Sequence, residues 1–339
     1  MMSKKLVNAD KVIGLVSRQV APYTVPALIQ NFDFFNRLKR IQPAKKSILL
    51  KHFGFDGRVF DAATSYMLKE GFLEFSHDRY TLSKMSDQYL TKKSEFDLSS
   101  FALLLEGNVP AKLSEVIIYA LKTGKPAKWS TDTWEDSMRS GEISRIFSEG
   151  MMSRATLLKE NLIPALNNVL PKKSTLLDTG GSLGDYCGAF TKKYKNLSCT
   201  IYELPEVAKH ARKNIAEKKY RRINVIDGDF FTQSLPKGFD IHFYSNVIHD
   251  WTPSQISVLL RKSYQSLNKG GLVMIHDMHL DNDKKGPDVA IDHSLYLSIF
   301  TDGKCYSFDE MSRMLKLAGF KRIRAKRTAA GYSVVIGYK

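Results

Sequence analysis

Asp178-Thr-Gly180-Gly181-Ser182-Leu183-Gly184 closes a short apolar run with a glycine-rich turn. A turn of this kind between a first strand and its helix lets backbone approach a ligand closely and offers helix N-terminal amides to an anion. Taken alone, it is also what a tight strand-to-helix turn with no ligand looks like. Two further segments give it chemistry. Glu203 ends the next apolar run, where a carboxylate takes the two ribose hydroxyls of a nucleoside. Gly228-Asp229-Phe230-Phe231 ends a third run and adds a carboxylate and aromatic rings at the same sheet edge. Glycine loop, ribose acid, and a base-binding acid with an aromatic together describe a nucleoside site. A P-loop is excluded, because no Lys-Ser/Thr follows the glycines. The glycines at 180, 181 and 184 lack the G-x-G-x-x-G spacing, which counts against a dinucleotide. NAD stays a competitor because it would use the same ribose acid.

The elements that must position these groups alternate strictly from Ser174 onward. Strands are expected at 175–179, 197–202, 223–226, 239–245 and 271–276. Helices are expected at 183–194, 205–219 and 253–267, the last ended by Asn268-Lys-Gly-Gly271. A helix at 308–318 and strands at 323–327 and 332–338 close the chain. This alternation predicts an α/β fold, a doubly wound Rossmann-like domain with a mainly parallel sheet and the ligand at the C-terminal strand ends. Residues 1 to about 150 differ. Apolar residues recur at helical spacing over 29–41, 44–53 and 58–70, and two short alternating runs flank Ser76-His77-Asp78. Three helices and a hairpin form the winged-helix pattern, which either reads DNA or serves as a dimerisation scaffold. The third helix carries Arg58 and Lys69 against Asp61 and Glu70, too neutral for a recognition helix. Residues 100–160 are expected to be helical, interrupted by a loop at 122–126. The expected domains are a helical, winged-helix-like dimerisation region with its connector over 1–155, and a cofactor-binding catalytic domain over 156–339.

Composition sets the outer bounds. The chain has 339 residues, 43% hydrophobic and 25% charged, so a large core is expected. Lys and Arg total 51 against 35 Asp and Glu, a net charge of +16. The bases are spread widely, with clusters at 209–222 and 321–327 away from the nucleoside edge, which favours a solvated basic surface over nucleic-acid binding. Cys187, Cys199 and Cys305 are too few and too scattered for a disulfide framework or a cysteine metal site. No apolar run approaches the roughly 20 residues that span a bilayer, and Met1–Asp10 has no signal core. A soluble, cytoplasmic protein with no membrane or nucleic-acid partner is expected.

With these segments in place, the chain resembles a known family. Asp178–Gly184, Tyr202-Glu203-Leu204-Pro205-Glu206-Val207, Gly228-Asp229-Phe230-Phe231, His249-Asp250-Trp251, Gly270-Gly271 and Ala318-Gly319-Phe320 follow one another as in S-adenosylmethionine-dependent small-molecule O-methyltransferases. These are of the caffeate, hydroxyindole and bacterial polyketide tailoring type. The resemblance covers nearly the whole chain, because that family also has an N-terminal winged-helix-like dimerisation domain. It implies S-adenosylmethionine as cofactor, S-adenosylhomocysteine as product, no metal, and a homodimer. By the same resemblance Gly180 and its neighbours hold the methionine part, Glu203 with Leu204 the ribose, and Asp229 with Phe230 the adenine. Ser245, Phe147 and Met151 face the cofactor. His249 matches the catalytic base and Asp277 the carboxylate that positions it. An imidazole with a pKa of about 6.5 is largely neutral near pH 7 and free to take a proton, worth roughly 10²–10⁴-fold.

The expected acceptor is a small aromatic hydroxyl compound, with His293, Tyr296 and Phe300 at near-helical spacing as substrate residues. The sequence departs from the family at three places. Ser182 replaces the middle glycine of the loop. Cys305 stands where plant members carry a further acid. Tyr244-Ser245-Asn246 precedes the histidine motif with polar groups. His276, Asp277 and His279 could suggest a metal, but alternation along a strand separates His276 from Asp277. Two other functions stay open at this level: a divergent enzyme on the same fold, and a winged-helix regulator that binds nucleic acid.

Overall fold

The computed structural model describes residues 20–94, 97, 112–127, 151, 154–155, 158–167, 169–170 and 174–339. The helical expectations for 100–111 and 128–150, and the expected cofactor contact of Phe147, lie outside the described residues. In chain order the elements are α1 (Ala21–Phe32), α2 (Phe34–Ile41), α3 (Lys46–Phe53), α4 (Gly57–Lys69), β1 (Leu73–Ser76), β2 (Arg79–Leu82), α5 (Lys84–Tyr89) and α6 (Lys112–Thr123). Then follow β3 (Ser174–Thr179), α7 (Asp185–Lys193), β4 (Leu197–Glu203), α8 (Pro205–Glu217), β5 (Ile223–Asp227) and β6 (Phe239–Ser245). A single 3-10 turn (Ile248–Asp250), α9 (Pro253–Ser266), β7 (Leu267–Met278), α10 (Asp288–Phe300), α11 (Phe308–Leu317), β8 (Lys321–Arg327) and β9 (Tyr332–Tyr338) complete the chain.

The described residues divide into two compact units, 20–127 with 280–305, and 151–279 with 306–339. The chain therefore leaves the sheet after β7, adds α10 to the helical unit, and returns. A single division at residue 155 does not contain that crossing.

In the helical unit, the one helix expected over 29–41 is broken at Asp33, which sits in the left-handed region at φ 46°. Asp tolerates that conformation better than most residues, and here its Oδ1 accepts from Asn36 Nδ2 at 2.8 Å. The β1–β2 hairpin turns through His77 and Asp78, both at positive φ, as a two-residue hairpin turn requires. Helix α4 starts at Asp56, whose Oδ1 accepts from the backbone N–H groups of Arg58 and Val59. It buries Val59, Phe60, Ala63 and Met67 in one apolar core with Leu28, Leu49, Leu121, and Leu295 and Ile299 of α10.

In the other unit, seven strands form one sheet in the order β5-β4-β3-β6-β7-β9-β8. The first five are mutually parallel, and β9 runs antiparallel to both β7 and β8. The order reverses between β3 and β6, which opens a crevice at their C-terminal ends. The middles of the central strands, covered on both faces, are mostly apolar: Leu176, Leu177, Ile241, Phe243, Val273, Met274 and Ile275 are fully buried, while polar residues such as Asp178, His276 and Asp277 gather toward the C-terminal ends. One expectation needs correction. Asn268-Lys-Gly-Gly271 is not a glycine-type helix stop, because β7 begins at Leu267 itself, paired with Phe239 of β6. Backbone pairing to a neighbouring strand takes over before any left-handed cap can form. The two outer strands, β5 and β8, expose most of their side chains, and on β8 these are Lys321, Arg322, Arg324, Ala325 and Lys326.

Candidate functional site

The glycine loop leaves β3 at the sheet's reversal. Gly180 (φ 73°), Ser182 (φ 48°) and Gly184 (φ 84°) all adopt left-handed backbone. Space demands glycine at two positions, and at Gly180 the left-handed φ demands it as well. A Cβ on Gly180 would lie 2.7 Å from Val247 Cγ2, and one on Gly181 would lie 2.7 Å from Asp178 Cγ. The loop is thus clamped between the strand that precedes it and the turn that follows β6. Asp178 accepts from Cys187 Sγ at 3.3 Å, and burial pushes its carboxyl up to about 7. Ser182 carries a side chain where the backbone favours glycine. Its Oγ is buried and, among the described residues, has no hydrogen-bond partner.

The loop lines a cavity with Met151, Ala155, Tyr186, Ser245 and Asn246. Glu203, at the end of β4, bends over the loop. Its Oε2 accepts from Ser182 N at 3.3 Å and its Oε1 from Leu204 N at 3.1 Å. Burial raises its pKa, partly offset by those two N–H groups. Beyond β5, Asp229 Oδ1 accepts from Phe231 N at 2.9 Å. Phe230, Phe231 and Trp251 meet edge to face, with centroids 4.5–5.9 Å apart. This loop has an anchor that the sequence does not advertise: Lys262 Nζ of α9 donates to the carbonyls of Phe230 (2.9 Å), Phe231 (2.7 Å) and Gln233 (2.7 Å). Gly228 closes the approach, since a Cβ there would lie 2.2 Å from Tyr202 Oη.

His249 stands on the 3-10 turn after β6, only 4% exposed. Burial, then the cation of Arg154, holds its pKa down to about 3, so the ring is neutral. Its Nδ1 lies 3.7 Å from Asp277 Oδ1 and its Nε2 3.8 Å from Asp250 Oδ1, both longer than a hydrogen bond. Asp277 Oδ1 accepts instead from Asn246 N at 2.7 Å, so the carboxyl holds the start of the turn that carries His249. Burial pushes Asp277 up to about 7. Ser245 Oγ meets His276 Nδ1 at 3.1 Å, and Tyr332 Oη donates to Asn246 Oδ1 at 2.5 Å.

Arg154 was not among the residues the sequence singles out, because it lies in an apolar stretch expected to pack. Its guanidinium sits 5.1 Å over the Tyr332 ring. Its Nε and Nη2 are buried and, among the described residues, have no hydrogen-bond partner. The structure therefore brings Gly180, Glu203, Leu204, Ser245, Met151, His249 and Asp277 into one unit around the sheet's C-terminal edge, with Asp229 and Phe230 on the next strand end. His293, Tyr296 and Phe300 lie on α10, in the helical unit. The His293 and Tyr296 rings are parallel at 6.0 Å, and Phe300 follows at 4.9 Å from Tyr296. Among the described residues no group of three His, Cys, Asp or Glu could hold a metal, and no helix is long and apolar enough to cross a membrane.

The site residues fit S-adenosylmethionine in chemical kind. The loop backbone leaves no room for Cβ atoms at two glycines, a buried acid, Glu203, bends over the loop, and the buried hydroxyl of Ser182 and guanidinium of Arg154 have no hydrogen-bond partner among the described residues. Comparison with known proteins agrees. The chain is 28% identical over 291 residues to acetylserotonin O-methyltransferase of Gallus gallus, covering 83% of this chain and 82% of that protein. It is 30% identical over 223 residues to 3-hydroxy-5-methyl-1-naphthoate 3-O-methyltransferase of Streptomyces sahachiroi, covering 65% and 64%. In fold it matches an O-methyltransferase family 2 protein from Planctomyces limnophilus in complex with apigenin, with TM-score 0.85 and 23% identity over 99% of this chain and 97% of that one. Human N-acetylserotonin methyltransferase in complex with SAM matches with TM-score 0.61 and 20% identity over 100% and 99%. The family model of the O-methyltransferase domain matches residues 105–321, more than half of the chain. The chain belongs to this family of S-adenosylmethionine-dependent O-methyltransferases.

Proposed function

We propose that the protein methylates a hydroxyl on a small aromatic acceptor, with His249 as the general base. One observation carries the reading. The turn that bears His249 packs directly on the glycine loop, Val247 occupying the space that a Cβ on Gly180 would need. His249, with a neutral imidazole, follows two residues later on the same turn. S-adenosylmethionine supplies a methyl on a sulfonium centre, which departs as a neutral thioether when an oxygen attacks. The protein's tasks are then in-line placement and removal of the hydroxyl proton.

In this reading Gly180 and the loop take the methionine part, and the open donors of Arg154 take its carboxylate. Glu203 with Leu204 takes the ribose hydroxyls, while Asp229 and Phe230 take the adenine. Met151, Phe147 and Ser245 flank the cofactor. Asp277 acts through the turn it caps. Once the imidazole is protonated, an ionised Asp277 would favour the cation at 3.7 Å. The aromatic row His293, Tyr296 and Phe300 suits a planar ring. A relative named for a hydroxynaphthoate and a neighbour in complex with apigenin support a small aromatic acceptor. The helical unit, with α1–α4 followed by the β1–β2 hairpin, would serve as a winged-helix dimerisation scaffold in a cytoplasmic homodimer acting in secondary metabolism. Both bases of α4 are engaged within the unit. Arg58 donates to the carbonyls of Gly303 and Gly124, and Lys69 pairs with Glu70. That leaves the helix poorly equipped to read nucleic acid.

His249→Ala tests the assignment. S-adenosylhomocysteine binding measured by calorimetry should persist, and turnover of an acceptor found by screening hydroxylated aromatics should fall roughly 10²–10⁴-fold. Full turnover in this variant would remove His249 as the base.

A further inference from the structure

We propose that Tyr332 is a positioning residue for methyl transfer, whose hydroxyl fixes the head of the turn that carries His249. The inference rests on the site reading above and extends it to a strand which that reading leaves idle. Tyr332 opens β9, the antiparallel strand beside β7, outside the five parallel strands whose ends form the site. Its side chain is buried, and it is not part of the cavity wall. Further along the same strand Val334, Val335 and Ile336 bury hydrocarbon alone. Phenylalanine would pack as well at 332, so the hydroxyl needs its own account.

That hydroxyl reaches past β7 and donates to Asn246 Oδ1 at 2.5 Å. Asn246 is where the chain leaves β6, in left-handed backbone at φ 56°, and its own N–H is held by Asp277 Oδ1 at 2.7 Å. The residue is thus pinned twice, its backbone from β7 and its side chain from β9. Val247 follows and fills the space beside Gly180, and His249 comes next but one on the 3-10 turn. Without the hydroxyl, Oδ1 loses its donor and the Asn246 side chain is free to swing. In-line transfer depends on geometry, so a small displacement of the turn costs rate. The ring has a separate task. The guanidinium of Arg154 lies 5.1 Å over it, within cation–π range, and hydrogen bonds to Nε and Nη2 are absent among the described residues. Phenylalanine keeps that ring, so removing one atom separates the two tasks.

The test sets cofactor binding against the chemical step. Calorimetry with S-adenosylhomocysteine, and the single-turnover rate of methyl transfer to the acceptor found by the screen above, would compare wild type, Tyr332→Phe, Asn246→Gly and the double variant. Glycine suits the left-handed backbone at 246 and keeps the N–H that Asp277 accepts. Tyr332→Phe should bind S-adenosylhomocysteine within about twofold of wild type, because the ring under Arg154 remains, yet transfer methyl about tenfold more slowly. Asn246→Gly should lose at least as much rate, and the double variant no more than Asn246→Gly alone, because both changes remove one contact. A full rate in Tyr332→Phe overturns the proposal. Losses that multiply in the double variant overturn the route through Asn246. Affinity that falls as far as the rate in Tyr332→Phe overturns the positioning role, since general loosening of the site then explains both. Full turnover in His249→Ala, or a wild type that binds no S-adenosylhomocysteine, overturns the site reading on which the proposal stands, and shows itself in a different protein from the other outcomes.

Discussion

Asp277→Asn is the sharpest perturbation of the proposed proton route. Before the acceptor binds, burial holds His249 down to about 3 and pushes Asp277 up to about 7. The two groups therefore predict different pH profiles. His249 stays neutral and able to accept a proton throughout the range in which the assay runs. Asp277 is ionised above its pKa and protonated below it, and only the ionised form favours the imidazolium that develops during transfer. For a group titrating near 7, the ionised fraction falls about tenfold between pH 8 and pH 6, so kcat/KM should fall by a similar factor. An ordinary imidazole titrating near 6.5 would instead impose a loss of about thirtyfold by pH 5. The assay is kcat/KM for an acceptor whose own hydroxyl titrates well above the range, at saturating cofactor, because that ratio reports the groups as they stand before the acceptor binds. In Asp277→Asn the acid limb should vanish and the rate should settle near the low-pH level of the wild type. An Asn variant with an acid limb of the same midpoint and depth would refute the reasoning, since the limb would then belong to another group.

Two more outcomes follow from the cofactor side. Glu203→Ala should weaken S-adenosylhomocysteine binding by at least about tenfold, as loss of a charged hydrogen-bonding group does, and calorimetry would read it; unchanged affinity would mean the ribose acid was misassigned. Lys262→Met leaves three carbonyls of the Phe230–Gln233 loop without their ammonium donor, so affinity for S-adenosylhomocysteine should drop about 3–10-fold while the acceptor KM holds. An acceptor KM that rises with unaltered cofactor affinity would place that loop elsewhere in function.

The sheet and the glycine turn were legible because their signals are local. β6 and β9 have the expected bounds, since apolar runs bounded by polar turns mark strands buried on both faces. The glycine loop was legible from its composition, and the structure supplies the reason in the Cβ collisions at Gly180 and Gly181. What escaped notice depends on partners distant in sequence. Lys262 looks like one more basic residue on an amphipathic helix until its three carbonyl partners, 29–32 residues away, are seen. Arg154 is hidden by apolar neighbours in sequence, and only tertiary burial makes its open donors notable. The break at Asp33 and the early start of β7 are contests between local propensity and longer-range contacts. Apolar periodicity registers only the first of these. The return of residues 280–305 to the helical unit is likewise a packing choice, made by Leu295 and Ile299 joining that core.

The exposed outer strands give the basic surface a physical use. An open sheet ends in two rows of backbone donors and acceptors, and any extended chain of matching length could pair with them. Here β8 fences its row with Lys321, Arg322, Arg324 and Lys326, while Arg221 and Arg222 lead into β5 at the opposite border. A second copy that tried to extend the sheet by pairing β8 with β8 would bring cation against cation along that seam, whereas β5 itself carries no Lys or Arg and ends in Asp227. The basic row of β8 thus works as insulation against pairing at that edge. Its range is set by the surrounding salt, roughly 8 Å at physiological ionic strength, which is wider than the spacing of about 5 Å between paired strands.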